Sequence, residues 1–306
     1  MSTATVLYDG LLPRGMPNFE LPKLEPTSRA IVIGMGGGCD VFAATALGRL
    51  WQSQSPDGAT VLFANCIGDR ALPDDHEPVA PGLFKIPTNP VPLVPGDEAY
   101  GTTRIECSVE PRGPEGAPFL IVVPKDGKSG LSLEEVTKAN CDAVSSALTA
   151  LRVEQVIAVD MGGDSLTGGT DFAGGSFEFG RDRQVLHALG ASGIPFTQII
   201  FGPGCDGESS IPAMQKAVAQ ADSDGNLVGI VPLAELVAQM REMAKTLSPT
   251  RTPNILARAF DTLKARQEGG GGPEDELCTI TRHGNTQAVP WSWLTVGLVM
   301  KGQSKC

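Results

Sequence analysis

The run Ala30-Ile31-Val32-Ile33-Gly34-Met35-Gly36-Gly37-Gly38-Cys39-Asp40-Val41 constrains the fold more than any other stretch of the chain. A short apolar run rich in β-branched residues predicts a buried strand. It breaks into glycines, which open onto Val41–Leu50, a helical pattern. Strand, glycine turn and helix make the first half of a βαβ unit. Glycine at positions 34, 36, 37 and 38 lets backbone approach a ligand closely, and the helix start offers unpaired N–H groups and the positive end of the helix dipole. That combination suits an anion. Two structural alternatives stand beside it: a tight turn with no ligand, and Asp40 as a first-turn acid that complements the dipole.

The turn is neither of the two familiar nucleotide signatures. Gly34 and Gly36 fit G-x-G-x-x-G, but Cys39 takes the third glycine position. The next strand, 59–65, ends in Asn65 where an acid would hold a ribose. No G-K-[ST] follows, which excludes a P-loop. No NAD is therefore expected.

The same alternation continues along the chain. Apolar strand patterns recur at 119–124, 153–160, 196–201 and about 227–231. Between them lie helical patterns, including one opened by a capping box at Ser132–Glu135 and running to about Leu151, and others at 181–189, 211–220, 232–246 and 253–267. Strands alternating with amphipathic helices predict an α/β fold: a Rossmann-like three-layer sandwich with a mainly parallel sheet and helices on both faces. The 306 residues suffice for one such domain. We place an irregular arm at 1–28 and the α/β domain at 29–268. A Gly-rich connector and a strand-like tail, with pieces at 277–282 and 294–300, fill 269–306. Residues 66–118 form a proline-rich excursion in which 104–109 reads as an extended piece; Gly96–Arg104, with two acids, a tyrosine and an arginine, is its most polar portion.

Ligands in an open parallel sheet bind beyond the carboxyl ends of the strands. Three of those ends carry glycine-rich, acidic loops: Gly34–Asp40, then Asp160-Met161-Gly162-Gly163-Asp164, then Gly204-Cys205-Asp206-Gly207-Glu208. Hard oxygen ligands in such number suit Mg²⁺ or Mn²⁺. We single out Asp160, Asp164, Asp206 and Glu208 as acid/base candidates, with Asp160 and Asp206 as metal ligands. Gly34, Gly36, Gly37, Gly38, Asp40, Gly162, Gly163, Arg181, Asp182, Gly204 and Gly207 are ligand-binding candidates. Arg181 suits a carboxylate or phosphate. Capping and turn chemistry is the competing explanation for each acid, and acids also bind sugar hydroxyls or an ammonium without any metal. The histidines are His76, His187 and His283, and no Ser-His-Asp order can be picked out. Cys39 and Cys205 lie in two of the loops, with no obvious base partner.

Net charge of −11 argues against nucleic acid and anionic membrane surfaces as partners. Seven cysteines, an odd number without C-x-x-C spacing, argue against structural zinc and for a reducing compartment. No apolar run approaches the roughly 18–20 residues of a membrane helix, and the N-terminus lacks signal-peptide character. A soluble, cytoplasmic protein is expected, with a homodimer as the default assembly.

The motifs Gly34-Met35-Gly36-Gly37-Gly38-Cys39-Asp40, Asp160-Met161-Gly162-Gly163-Asp164-Ser165-Leu166 and Gly204-Cys205-Asp206-Gly207-Glu208 resemble, in that order, the G-x-G-G-G-x-D, D-x-G-G-D-S/A-L and G-x-D-G-E segments of the DUF1152 family. An S-P-x-x-D-like step of that family is matched at Phe179-Gly180-Arg181-Asp182 by its aspartate alone. The resemblance spans about residues 29–220. It groups the three loops into one site and implies no reaction. The residues themselves indicate an enzyme that binds a small anionic metabolite, phosphorylated or nucleotide-like. Hydrolysis, phosphoryl transfer and cyclisation or lyase chemistry stay open. A non-catalytic sensor using the same pocket is the alternative, and a NAD-type oxidoreductase is disfavoured by Cys39 and Asn65.

Overall fold

The structure is a computed structural model. It describes residues 10–13, 15–70, 72–73, 75–87, 89–93, 102–110, 118–124, 130–169, 177–268, 277–282 and 285–302. The 96–101 part of the polar portion of the excursion, most of the connector and His283 lie outside the described residues.

Five strands form the parallel centre of one sheet: β1 (Arg29–Gly34), β2 (Thr60–Gly68), β5 (Phe119–Val123), β6 (Gln155–Met161) and β7 (Phe196–Phe201). Their spatial order is β5-β2-β1-β6-β7, with every neighbouring pair parallel. Read as parallel strands in chain order this is 3-2-1-4-5, the doubly wound arrangement, and its order reverses between β1 and β6. The hairpin β3 (Glu77–Ala80) and β4 (Leu83–Lys85) adds antiparallel strands at one edge. At the other edge lie β8 (Leu227–Pro232) and β11 (Val296–Lys301), giving a nine-stranded sheet. A separate hairpin pairs β9 (Leu277–Arg282) with β10 (Asn285–Pro290).

Strand period sorts the core into two layers. Ala30 and Val32 of β1 join one apolar cluster and Ile31 and Ile33 the other; Val61 and Phe63 of β2 divide from Leu62 and Ala64 in the same way. The first face is covered by α1 (Asp40–Gln54), α7 (Ala234–Met243) and α8 (Thr252–Gln267). The second is covered by α3 (Leu133–Leu151) and α5 (Arg181–Ser192), which pack on each other. The remaining helices are α2 (Arg104–Cys107), α4 (Asp164–Thr167) and α6 (Ile211–Ser223). Among the described residues no helix is long and apolar enough to cross a membrane.

Helix α3 starts as its sequence requires. The Ser132 hydroxyl accepts from the Glu135 N–H at 3.3 Å, and the Glu135 carboxylate accepts from the Ser132 N–H at 2.8 Å. Ser132→Ala is expected to cost about 1 kcal/mol, measured as a lower urea midpoint at unchanged m-value.

Three expectations are corrected. Residues 104–109 are not an extended piece; 104–107 form α2, a single turn held by tertiary contacts of Glu106 rather than by helix propensity. The tail is no appendage to the α/β domain. Its last strand, β11, runs antiparallel between β7 and β8, where Leu298 and Val299 are fully buried. It also holds three strands rather than two, because β9 and β10 pair with each other. The arm is irregular, but it has a definite place: Phe19 N–H donates to Ile230 O at 2.8 Å and Ile230 N–H to Pro17 O at 2.9 Å, which covers the free edge of β8.

Candidate functional site

The strand order reverses at the carboxyl ends of β1 and β6, the place where doubly wound sheets bind their ligands. The glycine turn 34–38 crosses it. Gly36 is lodged between two acids: a Cβ there would lie 3.0 Å from both an Asp40 and an Asp182 carboxylate oxygen. Asp40 does not leave the turn open to an exogenous anion in the manner of a simple phosphate cradle. Its carboxylate accepts from Gly36 N–H at 2.7 Å and, across to the next strand, from Met161 N–H at 3.2 Å. Gly38 N–H is engaged as well, by the Glu106 carboxylate at 2.8 Å.

Asp160, the penultimate residue of β6, lies at the same place. One of its oxygens accepts from Gly163 N–H at 3.2 Å. The other accepts from Ser165 N–H at 3.2 Å and from the Ser165 hydroxyl, which in turn accepts from the Gln198 amide at 2.6 Å. Asp182 enters from the first turn of α5. Asp40, Asp160 and Asp182 are all buried, and they present carboxylate oxygens that lie within 4.8 Å of one another. Asp206, expected from the sequence to pair with Asp160, is not in this trio. The reason is topological: Asp160 lies at the end of β6 and Asp40 opens the helix that follows β1, the two strands that flank the reversal, while Asp206 follows β7, one strand further out. Asp206 instead lies against Gly162, and one of its oxygens accepts from Glu208 N–H at 3.1 Å.

The loops after β1, β6 and β7 nevertheless meet in one electrostatic field. Burial pushes the Asp164 carboxyl well above its ordinary range, and Asp182, Asp160, Asp206 and Glu208 push it further. Burial, then Asp182 and Asp160, do the same to Asp40. Asp160 is raised by burial and opposed by its Ser165 and Gly163 hydrogen bonds. Asp182 is raised to about 7 by burial and by Asp160, against the nearby Arg181 guanidinium and a hydrogen bond with the Asp164 carboxyl. Asp164 and Asp182 are thus a hydrogen-bonded pair of buried carboxyls, both raised above the ordinary carboxylate range.

Cationic groups stand on the other side of the turn. Arg181 donates to Gly36 O at 2.5 Å, and Arg70 donates to Thr102 O at 2.7 Å and lies 3.8 Å from Glu106. Both guanidinium tips come within 3.3 Å of the point where a Cβ on Gly37 would be. Burial and the neighbouring Arg181 lower the Arg70 guanidinium, and Glu106 opposes that shift. Two guanidinium groups converging on one glycine repel each other until an anion lies between them.

Asn65, Arg70 and Glu106 are site residues that the sequence reading did not select. The Asn65 amide donates to Glu106 at 3.1 Å. Asn65 Oδ1 and the second Glu106 carboxylate oxygen are fully buried, with no hydrogen-bond partner among the described residues. Glu106 carries a weak signal in the sequence: it is an acid flanked on both sides by apolar residues, Ile105 and Cys107. The remaining glycines serve the loops themselves. Gly163 caps α4, Gly204 N–H donates to Gly162 O at 2.6 Å, and Gly207 N–H donates to Gly204 O at 3.1 Å. Cys205 is buried and its thiol donates to Phe201 O at 3.6 Å, and Cys39 is the N-cap residue of α1. His187, on α5, is hydrogen-bonded to Glu178 at 2.6 Å.

No curated protein and no solved structure matches the chain. The model of one family, described as a protein of unknown function (DUF1152), matches residues 107–268. It begins after the glycine turn of β1 and extends through α8, further toward the C-terminus than the motif resemblance. The matched part carries Asp160, Asp164, Asp182, Asp206 and Glu208, and it covers just over half of the sequence; the chain belongs to the DUF1152 family.

Proposed function

We propose that this chain is an enzyme that binds a small anionic metabolite, phosphorylated or nucleotide-like, together with a divalent cation at the β1/β6 crevice. The observation that carries the reading is the side-by-side placement of opposite charges. Arg70 and Arg181 converge on Gly37, while Asp40, Asp160 and Asp182 cluster beyond Gly36. Carboxylates taken out of water together are unstable as free anions. Asp40, Asp160 and Asp182 would hold a Mg²⁺ or Mn²⁺ ion, whose charge would relieve that repulsion. The arginines hold the substrate's oxyanion by charge-assisted hydrogen bonds. Asp164 and Asp182, a hydrogen-bonded pair whose carboxyls are both raised, serve as the acid/base groups. Metal-assisted hydrolysis or group transfer is the chemistry that such parts serve.

One observation favours the non-catalytic alternative. Both oxygens of Asp40 and both of Asp160 already accept hydrogen bonds within the fold, which suits acids that knot the loops of a binding protein. Calorimetry with Mn²⁺ and a panel of nucleotides and sugar phosphates separates the two. The enzyme reading expects ligand affinity to rise at least tenfold with Mn²⁺ and to fall at least tenfold in Asp182→Asn and in Arg181→Gln. Binding that is equal in EDTA and indifferent to Asp182→Asn selects the sensor.

A further inference from the structure

We propose that Cys107, His76 and Asp75 form a thiol–imidazole–carboxylate relay, and that it makes Cys107 a nucleophile toward small soft electrophiles. None of the three belongs to the carboxylate site. His76 lies just before β3, and Cys107 ends α2. The Cys107 sulfur is 3.6 Å from His76 Nε2, and His76 Nδ1 is 3.0 Å from an Asp75 carboxylate oxygen. The imidazole side chain is 1 % exposed, so its orientation is fixed by these partners and by packing rather than by solvent. The Asp75 carboxylate accepts a hydrogen bond from Nδ1–H, a tautomer that leaves the Nε2 lone pair for the thiol. Thr103 completes the arrangement: its hydroxyl is 3.3 Å from Nε2, and its carbonyl accepts from Cys107 N–H at 2.9 Å, which stacks both side chains toward the histidine.

A nucleophile within reach of a base, and that base oriented by a third group, is the arrangement that activates a thiol. The Sγ–H proton passes to Nε2, giving a thiolate beside an imidazolium that Asp75 stabilises. A sulfur lone pair then forms an S–C bond to the electrophilic carbon, the leaving group departs with its bonding pair, and the imidazolium returns its proton to water. The apolar neighbours Ile67, Ile86 and Leu120 oppose charge at this place. The transfer, however, creates opposite charges as a contact pair and never an isolated thiolate. At 7 % exposure Cys107 admits only a small reagent.

The test is competitive labelling of the native full-length chain with iodoacetamide, read cysteine by cysteine by mass spectrometry. Cys107 is expected to react at least tenfold faster than the more exposed Cys141. His76→Gln is expected to slow Cys107 at least tenfold, and Asp75→Asn several-fold. Asp75 is largely exposed, so Asp75→Asn keeps the test valid should His76→Gln fail to fold. A Cys107 rate at or below that of Cys141 overturns the proposal, as does a Cys107 rate that Asp75→Asn leaves unchanged.

Discussion

Raising the pH from about 5.5 to about 8 is expected to destabilise the cation-free protein by about 2 kcal/mol or more, a fall of several degrees in melting temperature. The direction follows from the carboxyls of the crevice. Asp182 titrates at about 7 in the folded chain and near the ordinary carboxylate value in the unfolded chain. The fold thus favours its protonated form. The stability this confers is complete in acid, starts to fall above about pH 4, and is lost as pH rises through about 7. Asp40, Asp160 and Asp164 are raised too and act in the same direction. Glu178, which is lowered by its His187 and Arg183 partners, acts oppositely, but in acid below this window. A divalent cation held by Asp40, Asp160 and Asp182 competes with those protons. Mn²⁺ at about 100 times its dissociation constant adds about 2.7 kcal/mol, and this gain should be larger at the higher pH. Thermal unfolding in EDTA and in Mn²⁺ checks both halves. Asp182→Asn removes one titrating group and one ligand, so it should flatten the pH profile and shrink the Mn²⁺ gain together. A melting temperature that climbs steadily to pH 8 in EDTA would mean that the acids are ionised and already compensated within the fold.

This arrangement was partly legible in the sequence, for physical reasons that separate local from non-local information. Unbroken apolar runs such as Ala30–Ile33 and Val156–Val159 record strands covered on both faces, so the parallel centre could be read from them. Glycine and aspartate at strand ends record that backbone turns sharply beside a crevice. Asp182 was selected beside Arg181 because both start a helix after a glycine-rich loop, and the fold brings both to Gly36. The order of strands is another matter. Nothing local in Val296–Lys301 tells that it inserts between β7 and β8, because an apolar strand satisfies either neighbour equally. Glu106 was hidden for a related reason. Its single turn of helix lacks a side-chain cap, and it exists because its carboxylate reaches Gly38, 68 residues earlier in the chain. Asn65 was read for what it is not, an acid, whereas its amide serves Glu106.

Gly162→Ala is expected to be the most damaging small substitution in the site, at about 3–5 kcal/mol of stability. Two costs add. Gly162 has φ +133, a conformation that side chains rarely adopt. A Cβ there would also overlap the carboxyl group of Asp206. Neither partner can yield easily. Gly162 N–H donates to Phe201 O at 3.1 Å and its carbonyl accepts from Gly204 N–H at 2.6 Å, which locks the loop after β6 onto the loop after β7. Asp206 is buried and anchored by Glu208 N–H. Gly193→Ala provides the comparison, because Gly193 has φ +72 with nothing within 4 Å of its would-be Cβ. It bears only the backbone cost, about 1 kcal/mol. Urea unfolding of the two variants therefore isolates the steric contribution, and Asp206→Gly in the Gly162→Ala background should restore part of the loss by clearing the overlap. Equal costs for Gly162→Ala and Gly193→Ala would mean that the β6 and β7 loops do not touch. Asp206 and Glu208 would then fall outside the carboxylate field, and the crevice would reduce to the acids and arginines around Gly36 and Gly37.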